Sequence, residues 1–218
     1  MRELGTTVGD GARVEVDGRL VRPAETRTYL VLNKPAGVMT TMRDPEGRRT
    51  VADLIRGAGV RARVVPVGRL DYDTSGVLLL TDDGEAAHVL THPRFGVEKT
   101  YRATVRGRLD AAAVETILRG VRLEEGRAAP AQLRVVATRR GASVLDVTIH
   151  EGKNRQVRRM LESVEHPVLE LTRLRFGPIA LGDLPAGAVR PVTPRELAAL
   201  HRIVTEAREE RIGGEAGG

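Results

Sequence analysis

The chain has no cysteine and no tryptophan, only five aromatic residues, and three lysines against 32 arginines in 218 residues. Without cysteine there is no disulfide, no thiolate zinc site and no cysteine nucleophile, so thiol chemistry is excluded. The aromatics, Tyr29, Tyr72, Phe95, Tyr101 and Phe176, are scattered along the chain, which excludes the stacking platforms of RNP-type or OB-type nucleic-acid binders. No apolar run approaches the length of a membrane span, and the opening "MRELGTTVGD" lacks the apolar stretch of a signal peptide. A soluble, cytoplasmic protein with no membrane association is expected. The histidines, His88, His92, His150, His166 and His201, fall in no recognised metal-ligand spacing, so no metal site is expected. The glycines of "GDGARV" match neither a dinucleotide fingerprint nor a phosphate loop, and nothing supports a nucleotide cofactor.

What is present is a chain long enough to bury a proper core, with a net charge of +6. That basic excess favours a polyanionic partner, with nucleic acid the first candidate. The lysines that remain are Lys34, Lys99 and Lys153. Lysine is a compact ammonium and arginine a planar fork. Either these three positions need the smaller point charge, or their survival is chance.

Residues 1–24 read as a hairpin, "ARVEVDGRLV" alternating apolar and polar residues around an Asp-Gly turn. "TYLVLNKPAGVMTT" predicts a strand over Tyr29–Leu32 broken by proline and glycine. "RVVPVG" predicts another strand, and "VLLLT" is a continuous apolar run of the kind buried on both faces of a sheet. "GEAAHVLTH" suits a short helix, for which Asp82 and Asp83 are candidate caps. "KTYRATVRG" alternates as a strand does. "LDAAAVETILRG" suits a helix capped by Asp110 and ended by Gly120. "AQLRVVAT" and "SVLDVTIH" return to strand. After "EGKN" a helical wheel places Val157, Met160, Leu161 and Val164 on one face and Arg155, Arg158 and Arg159 on the other, available to water or a partner. Thr193, Pro194 and Glu196 are in capping-box register for a last helix with Leu197, Leu200 and Val204 inward. Strands and helices mix without a regular βαβ rhythm, so the expected class is α+β around a central mixed or antiparallel sheet.

The first predicted strand leads into "GRLDYDTSGVLLLT", from Gly68 to Thr81, a loop that runs straight into the second. Asp73 and Thr74 suit a turn. Asp71 follows Arg69 by two residues at the mouth of the sheet, and from spacing alone it reads equally as half of a structural ion pair or as a functional acid.

This stretch resembles the signature of the pseudouridine synthases. "LNKPAGVMTT", "EKTYRATVRG" and "EGKNRQVRRM" resemble, in order, the accompanying motifs of the RsuA/RluB branch that modifies ribosomal RNA, with "NKPAGVMTTMRDPEGRRTVADL" most like the RluB type. The resemblance runs from about Tyr29 to Leu197. It implies the pseudouridine synthase fold, a central mixed, mostly antiparallel sheet with flanking helices and an active-site cleft. It implies a cofactor-independent monomer acting on ribosomal RNA, of the large subunit, or on a ribosome assembly intermediate. By the resemblance, Asp71 is the catalytic aspartate, Tyr101 stacks on the flipped uracil and takes the C5 proton, and Lys153 holds the carboxylate in an ion pair. Arg69 orders the loop or replaces the target base. Lys34, Asn154, Arg155, Gln156, Arg158 and Arg159 complete the RNA-binding set, and no residue binds metal. Members of this branch usually begin with an S4 RNA-binding domain, of which residues 1–24 match the last hairpin. Residues 25–206 are expected to be the catalytic domain and 207–218 a disordered tail. The rival readings are a catalytically silent RNA-binding or ribosome-assembly factor of the same fold and a nucleoside glycosidase using Asp71.

Overall fold

The computed structural model describes residues 14–16, 19–21, 27–130 and 132–215. Strands β1 (Val14–Val16) and β2 (Arg19–Val21) pair antiparallel on their own, Val14 opposite Val21, as the alternation at the start of the chain predicts. The Asp-Gly turn between them lies outside the described residues. The body follows as β3 (Tyr29–Lys34), α1 (Val51–Gly57), β4 (Val65–Pro66), β5 (Thr74–Thr81), α2 (Gly84–Thr91), β6 (Lys99–Arg106) and α3 (Ala111–Arg119). Then come the hairpin β7 (Val121–Leu123) and β8 (Gly126–Ala128), the long strands β9 (Gln132–Arg139) and β10 (Ala142–Ile149), and α4 (Gln156–Glu162). The chain ends in β11 (Val168–Phe176), β12 (Ile179–Ala180), β13 (Val189–Pro191) and α5 (Pro194–Glu215).

The main sheet runs β13-β3-β5-β11-β6-β10-β9, with β4 added to β5 and β12 to β11. Every pairing in it is antiparallel except β5 with β11, which is parallel. The α+β class with a mixed, mostly antiparallel sheet is therefore the observed one. Val77, Leu78, Leu79 and Leu80 of β5 are all fully buried because the sheet is covered on both faces there. Leu78 and Leu80 join Leu30, Leu32, Tyr101 and the inner faces of α1 and α4 in one core. Val77 and Leu79 join Tyr29, Phe176, Leu90 of α2 and Leu200 of α5 in a second. On β6 the expected alternation holds, with Tyr101, Ala103 and Val105 inward.

Local signals set most helix ends. The Asp83 carboxylate accepts from Ala86 N–H at the start of α2, and Asp110 does the same from Ala113 for α3, which stops at Gly120. Thr193 and Glu196 exchange both capping-box bonds at the head of α5. Asp82 is not a cap: its carboxylate accepts from Thr28 N–H at 2.8 Å and ties β3 to the end of β5. "RVVPVG" contributes only the two residues of β4. Strand β11 was not anticipated, because bulges at Val168/Glu170 and Arg173/Arg175 break the alternation that marks a strand in sequence. The segment from 207, expected to be disordered, continues α5 as far as Glu215. Ala207 is buried there and Arg208 pairs with Glu85 of α2, contacts between segments far apart in sequence.

One glycine permits the parallel junction. Gly76 of β5 stands opposite Arg173 of β11 at φ +108°, and a Cβ there would lie 2.2 Å from the Arg173 carbonyl oxygen. That neighbour is backbone and has no room to yield. Gly76→Ala should therefore lower unfolding stability by about 3 kcal/mol in urea titration, whereas Gly84→Ala, with open space around it, should change it by less than about 1 kcal/mol. Equal stabilities for the two variants would contradict the close approach of β5 and β11.

Candidate active site

The loop from Gly68 to Asp73 joins β4 to β5 and is held from three sides. Gly68 takes φ +71°, which starts the turn. Leu70 is buried, and the Thr40 hydroxyl both donates to its carbonyl at 2.7 Å and accepts from its N–H at 3.3 Å. Gly37 N–H donates to the Tyr72 carbonyl at 2.7 Å, and Thr74 N–H to that of Asp71 at 3.1 Å. The "NKPAGVMTT" segment is thus the bracket of the loop. Its own turn is pinned by Lys34, which is fully buried and whose ammonium donates to the carbonyls of Pro35 at 2.9 Å and Val38 at 2.8 Å.

Held in this way, Asp71 lines a cavity of about 400 Å³, a size suited to a small organic ligand. Tyr101, Ile149, Val157, Leu171 and Phe176 give it an apolar lining, while Arg69, Lys153, Asn154, Arg155 and Gln156 share its walls. Of the residues expected in the site, all are brought to this cavity except Lys34, Arg158 and Arg159.

The electrostatic connections differ from the expected ones. The cation beside Asp71 is Arg155, with Nη1 3.7 Å from Oδ2. The Lys153 ammonium instead pairs with Glu151 at 3.1 Å and donates to the Arg127 carbonyl of β8 at 2.9 Å. Arg155 also grips Asp73 with two hydrogen bonds of 3.0 and 2.9 Å. Arg158 is buried, donating to the Asp73 carbonyl at 2.9 Å and lying 3.3 Å from the Asp73 carboxylate. Hydrogen bonds from Arg155, reinforced by the charge of Arg158, hold the Asp73 carboxyl below its ordinary range despite partial burial. Arg159 binds Glu125 in the β7–β8 turn and pushes that carboxyl down to about 2. The three guanidinium groups expected to face a partner are therefore engaged by carboxylates from the loop and the hairpin. A helical wheel identifies the apolar face of α4 but not the acids that distant segments deliver to the other. Gln156 is equally internal, accepting from Lys153 N–H at 3.1 Å and donating to Glu151 at 2.7 Å.

Two cations in the cavity wall were missed as site residues. Arg173 of β11 is buried, donates through Nε to the Val77 carbonyl at 2.7 Å and lies 5.0 Å over the Phe176 ring. Its Nη2 has no hydrogen-bond partner among the described residues. Lys99 donates to the Val97 carbonyl at 2.9 Å, and burial, with the nearby Arg173 charge, lowers its pKa to about 8. Arg173 was hidden because its strand was. Lys99 stood out only as a rare lysine. A partly exposed carboxylate, a tyrosine among apolar side chains, and a buried guanidinium nitrogen lacking an acceptor suit a planar, carbonyl-bearing ligand.

The sequence profile of the RNA pseudouridylate synthase family matches residues 28–163, and the chain belongs to that family. It is 40% identical over 208 residues to the ribosomal large subunit pseudouridine synthase B of Bacillus subtilis, covering 94% of this chain and 84% of that protein. It is 37% identical over 227 residues to the protein of the same name from Pseudomonas aeruginosa, covering 95% of this chain and 58% of that one. Among solved structures, a pseudouridylate synthase crystal structure superposes with a TM-score of 0.71 at 29% identity, over 89% of this chain and 83% of that one.

Lys34 offers a test of the bracket. Burial lowers its pKa to about 8, against opposing attraction from Asp71 and Asp73. A lysine depressed in the folded state disfavours folding fully below pH of about 8, and that cost is relieved as pH rises towards its unfolded value of about 10.4. The stability of the wild type relative to Lys34→Met should therefore be flat below pH 8 and rise between about pH 8 and 10.4 in denaturant titrations. A pH-independent difference would contradict a buried, perturbed ammonium.

Proposed function

We propose that this chain converts a uridine of large-subunit ribosomal RNA into pseudouridine, with Asp71 as the catalytic residue. Family membership supports the reaction class, and the names of the two relatives support the RNA. The observation that carries the reading is Asp71, the one carboxylate among the described residues in the wall of a cavity that sets it between Tyr101, a group of apolar side chains and several cations. Breaking the N1–C1′ bond leaves an electron-poor sugar, which an ionised carboxylate stabilises or traps. The uracil then turns in place, C5 bonds to C1′, the C5 proton is lost, and N1, no longer bonded to C1′, gains a proton. Atoms and oxidation state are unchanged overall, so no redox partner is required. Arg155, 3.7 Å away, is the cation that faces the Asp71 carboxylate. Tyr101 is buried in the wall, suited to stack on the uracil and to take the C5 proton. Arg173 Nη2 is suited to meet a uracil carbonyl. Water would divert the intermediate to free base, so in this reading the bound RNA closes the mouth of the cavity.

Lys153 in this reading is a positioning residue: it fastens the "EGKN" turn to β8 and so sets Arg155. The uridine must leave its stack, at a cost of a few kcal/mol that contacts in the cavity and at its rim offset. Arg69 and Asn154, both exposed at that rim, are the proposed RNA contacts. The catalytic unit in this reading starts near residue 25 and includes the whole of α5, acting as a monomer in the cytoplasm on ribosomal RNA or an assembly intermediate.

Tritium release from RNA carrying 5-labelled uridine tests the proposal. Asp71→Asn should reduce release by about 100-fold or more while RNA affinity stays within about threefold. Equal release by both proteins would remove Asp71 from the mechanism. Free uracil would identify a glycosidase, and binding without either product a silent factor.

A further inference from the structure

A second cavity, of about 420 Å³, lies against the first. Both are lined by Arg69, Leu70, Asp71 and Arg155, so the Asp71 loop is the partition between them. On the far side of that partition stand Tyr72, Met39 and Arg43. Tyr72 is 52% exposed, unusual for one of only five aromatics in the chain. Its main chain is fixed by the Gly37 bond, so the ring is presented from a rigid base. The charges around this cavity are unevenly engaged. Arg48 is held by Asp44 and Glu46, and Arg155 by Asp73. Arg43 and Arg69, by contrast, are exposed and make no ion pair among the described residues.

We infer that this second cavity receives the base of the nucleotide adjoining the target uridine, with Tyr72 as its stacking face and Arg43 and Arg69 attracting the phosphate that links the two nucleotides. The inference rests on the proposed function. A strand that delivers one base into the first cavity carries a phosphodiester and then another base. The partition is a single loop, with an unengaged guanidinium on the partition itself and another beyond it, where that phosphate would pass. An aromatic face accepts any base, because every base has a π-face. The Thr41 hydroxyl in this wall donates to the Arg43 carbonyl, so it is not free to donate to a base edge. The stacking face by itself therefore selects for a neighbour that can leave its stack rather than for a particular base.

The test first locates the target by chemical mapping of pseudouridine in large-subunit ribosomal RNA treated with the protein. It then uses stem-loops containing that uridine, made abasic at the 5′ or the 3′ neighbour, with the wild type and Tyr72→Ala. One of the two abasic substrates should lower wild-type kcat/KM between about 5- and 150-fold, the worth of one base–aromatic stack. Tyr72→Ala should lose a similar factor on intact RNA and be indifferent to the same abasic change, and Tyr72→Phe should restore both. A wild type indifferent to both abasic substrates, or a penalty that persists in full in Tyr72→Ala, overturns the inference. A second readout is independent of turnover. With 2-aminopurine at the sensitive neighbour, or at each neighbour in turn, the wild type should quench its emission and Tyr72→Ala should not. The absence of tryptophan keeps the background low. Quenching by wild type alone, without pseudouridine formed, would sink the proposed reaction and keep the base site. Equal emission with both bound proteins, or no RNA binding by the wild type, sinks the base site.

Discussion

Asp73 ties the loop to the helix that faces it. Its carboxylate takes two hydrogen bonds from Arg155, its carbonyl takes one from buried Arg158, and both arginines come from more than eighty residues further along the chain. Asp71 is two residues away on the same turn, and Arg155 reaches it from the same guanidinium. Breaking this clamp would free the loop from α4 and remove the cation nearest the carboxylate. Burial of Arg158 makes the connection costly to undo, because a guanidinium left in that position without its acceptors would be a buried unpaired charge.

The clamp works because the sheet delivers its two halves to one place. Strand β5 starts at Thr74, directly after the loop, and runs parallel to β11, which follows α4. Gly76 lets the two backbones approach, and Arg173 enters the cavity wall from the strand opposite it. Burial of β5 on both faces anchors this junction in the two hydrophobic cores at once. The site is thus placed on strands whose displacement would disturb both cores, which suits the role proposed for Asp71, since a catalytic carboxylate must meet its substrate within a fraction of an ångström.

A basic protein handling a polyanion has to divide its cations between structure and ligand. Arg102 and Arg134 hold Asp146, Arg190 holds Glu196, and Arg159 holds Glu125. The buried ammoniums of Lys34 and Lys99 are directed at backbone carbonyls. What distinguishes the rim of the two cavities is that Arg69 and Arg43 are not engaged in this way. Their position, rather than the net charge of the chain, marks where a phosphate would be met.

Alternation on β6, the apolar run of β5, and the caps at Asp83, Asp110 and Thr193 were legible in the sequence because each depends on neighbours within a turn or a strand pitch. So were Asp71 and Tyr101, which sit in motifs of contiguous residues that resemble a known family. Strand β11 was not legible, since two bulges erase its period, and with it went Arg173. The partners of Lys153, Arg155, Arg158 and Arg159 were not legible either, because an ion pair is set by which carboxylate arrives through space. The sequence by itself determined where the chain alternates, where it turns and which acid stands at the head of β5. Only the tertiary structure decided which cations face that acid, which are sealed in the interior, and that a second cavity opens on the other side of its loop. Local periodicity is a property of neighbouring residues, whereas charge pairing and cavities belong to segments that meet only after folding.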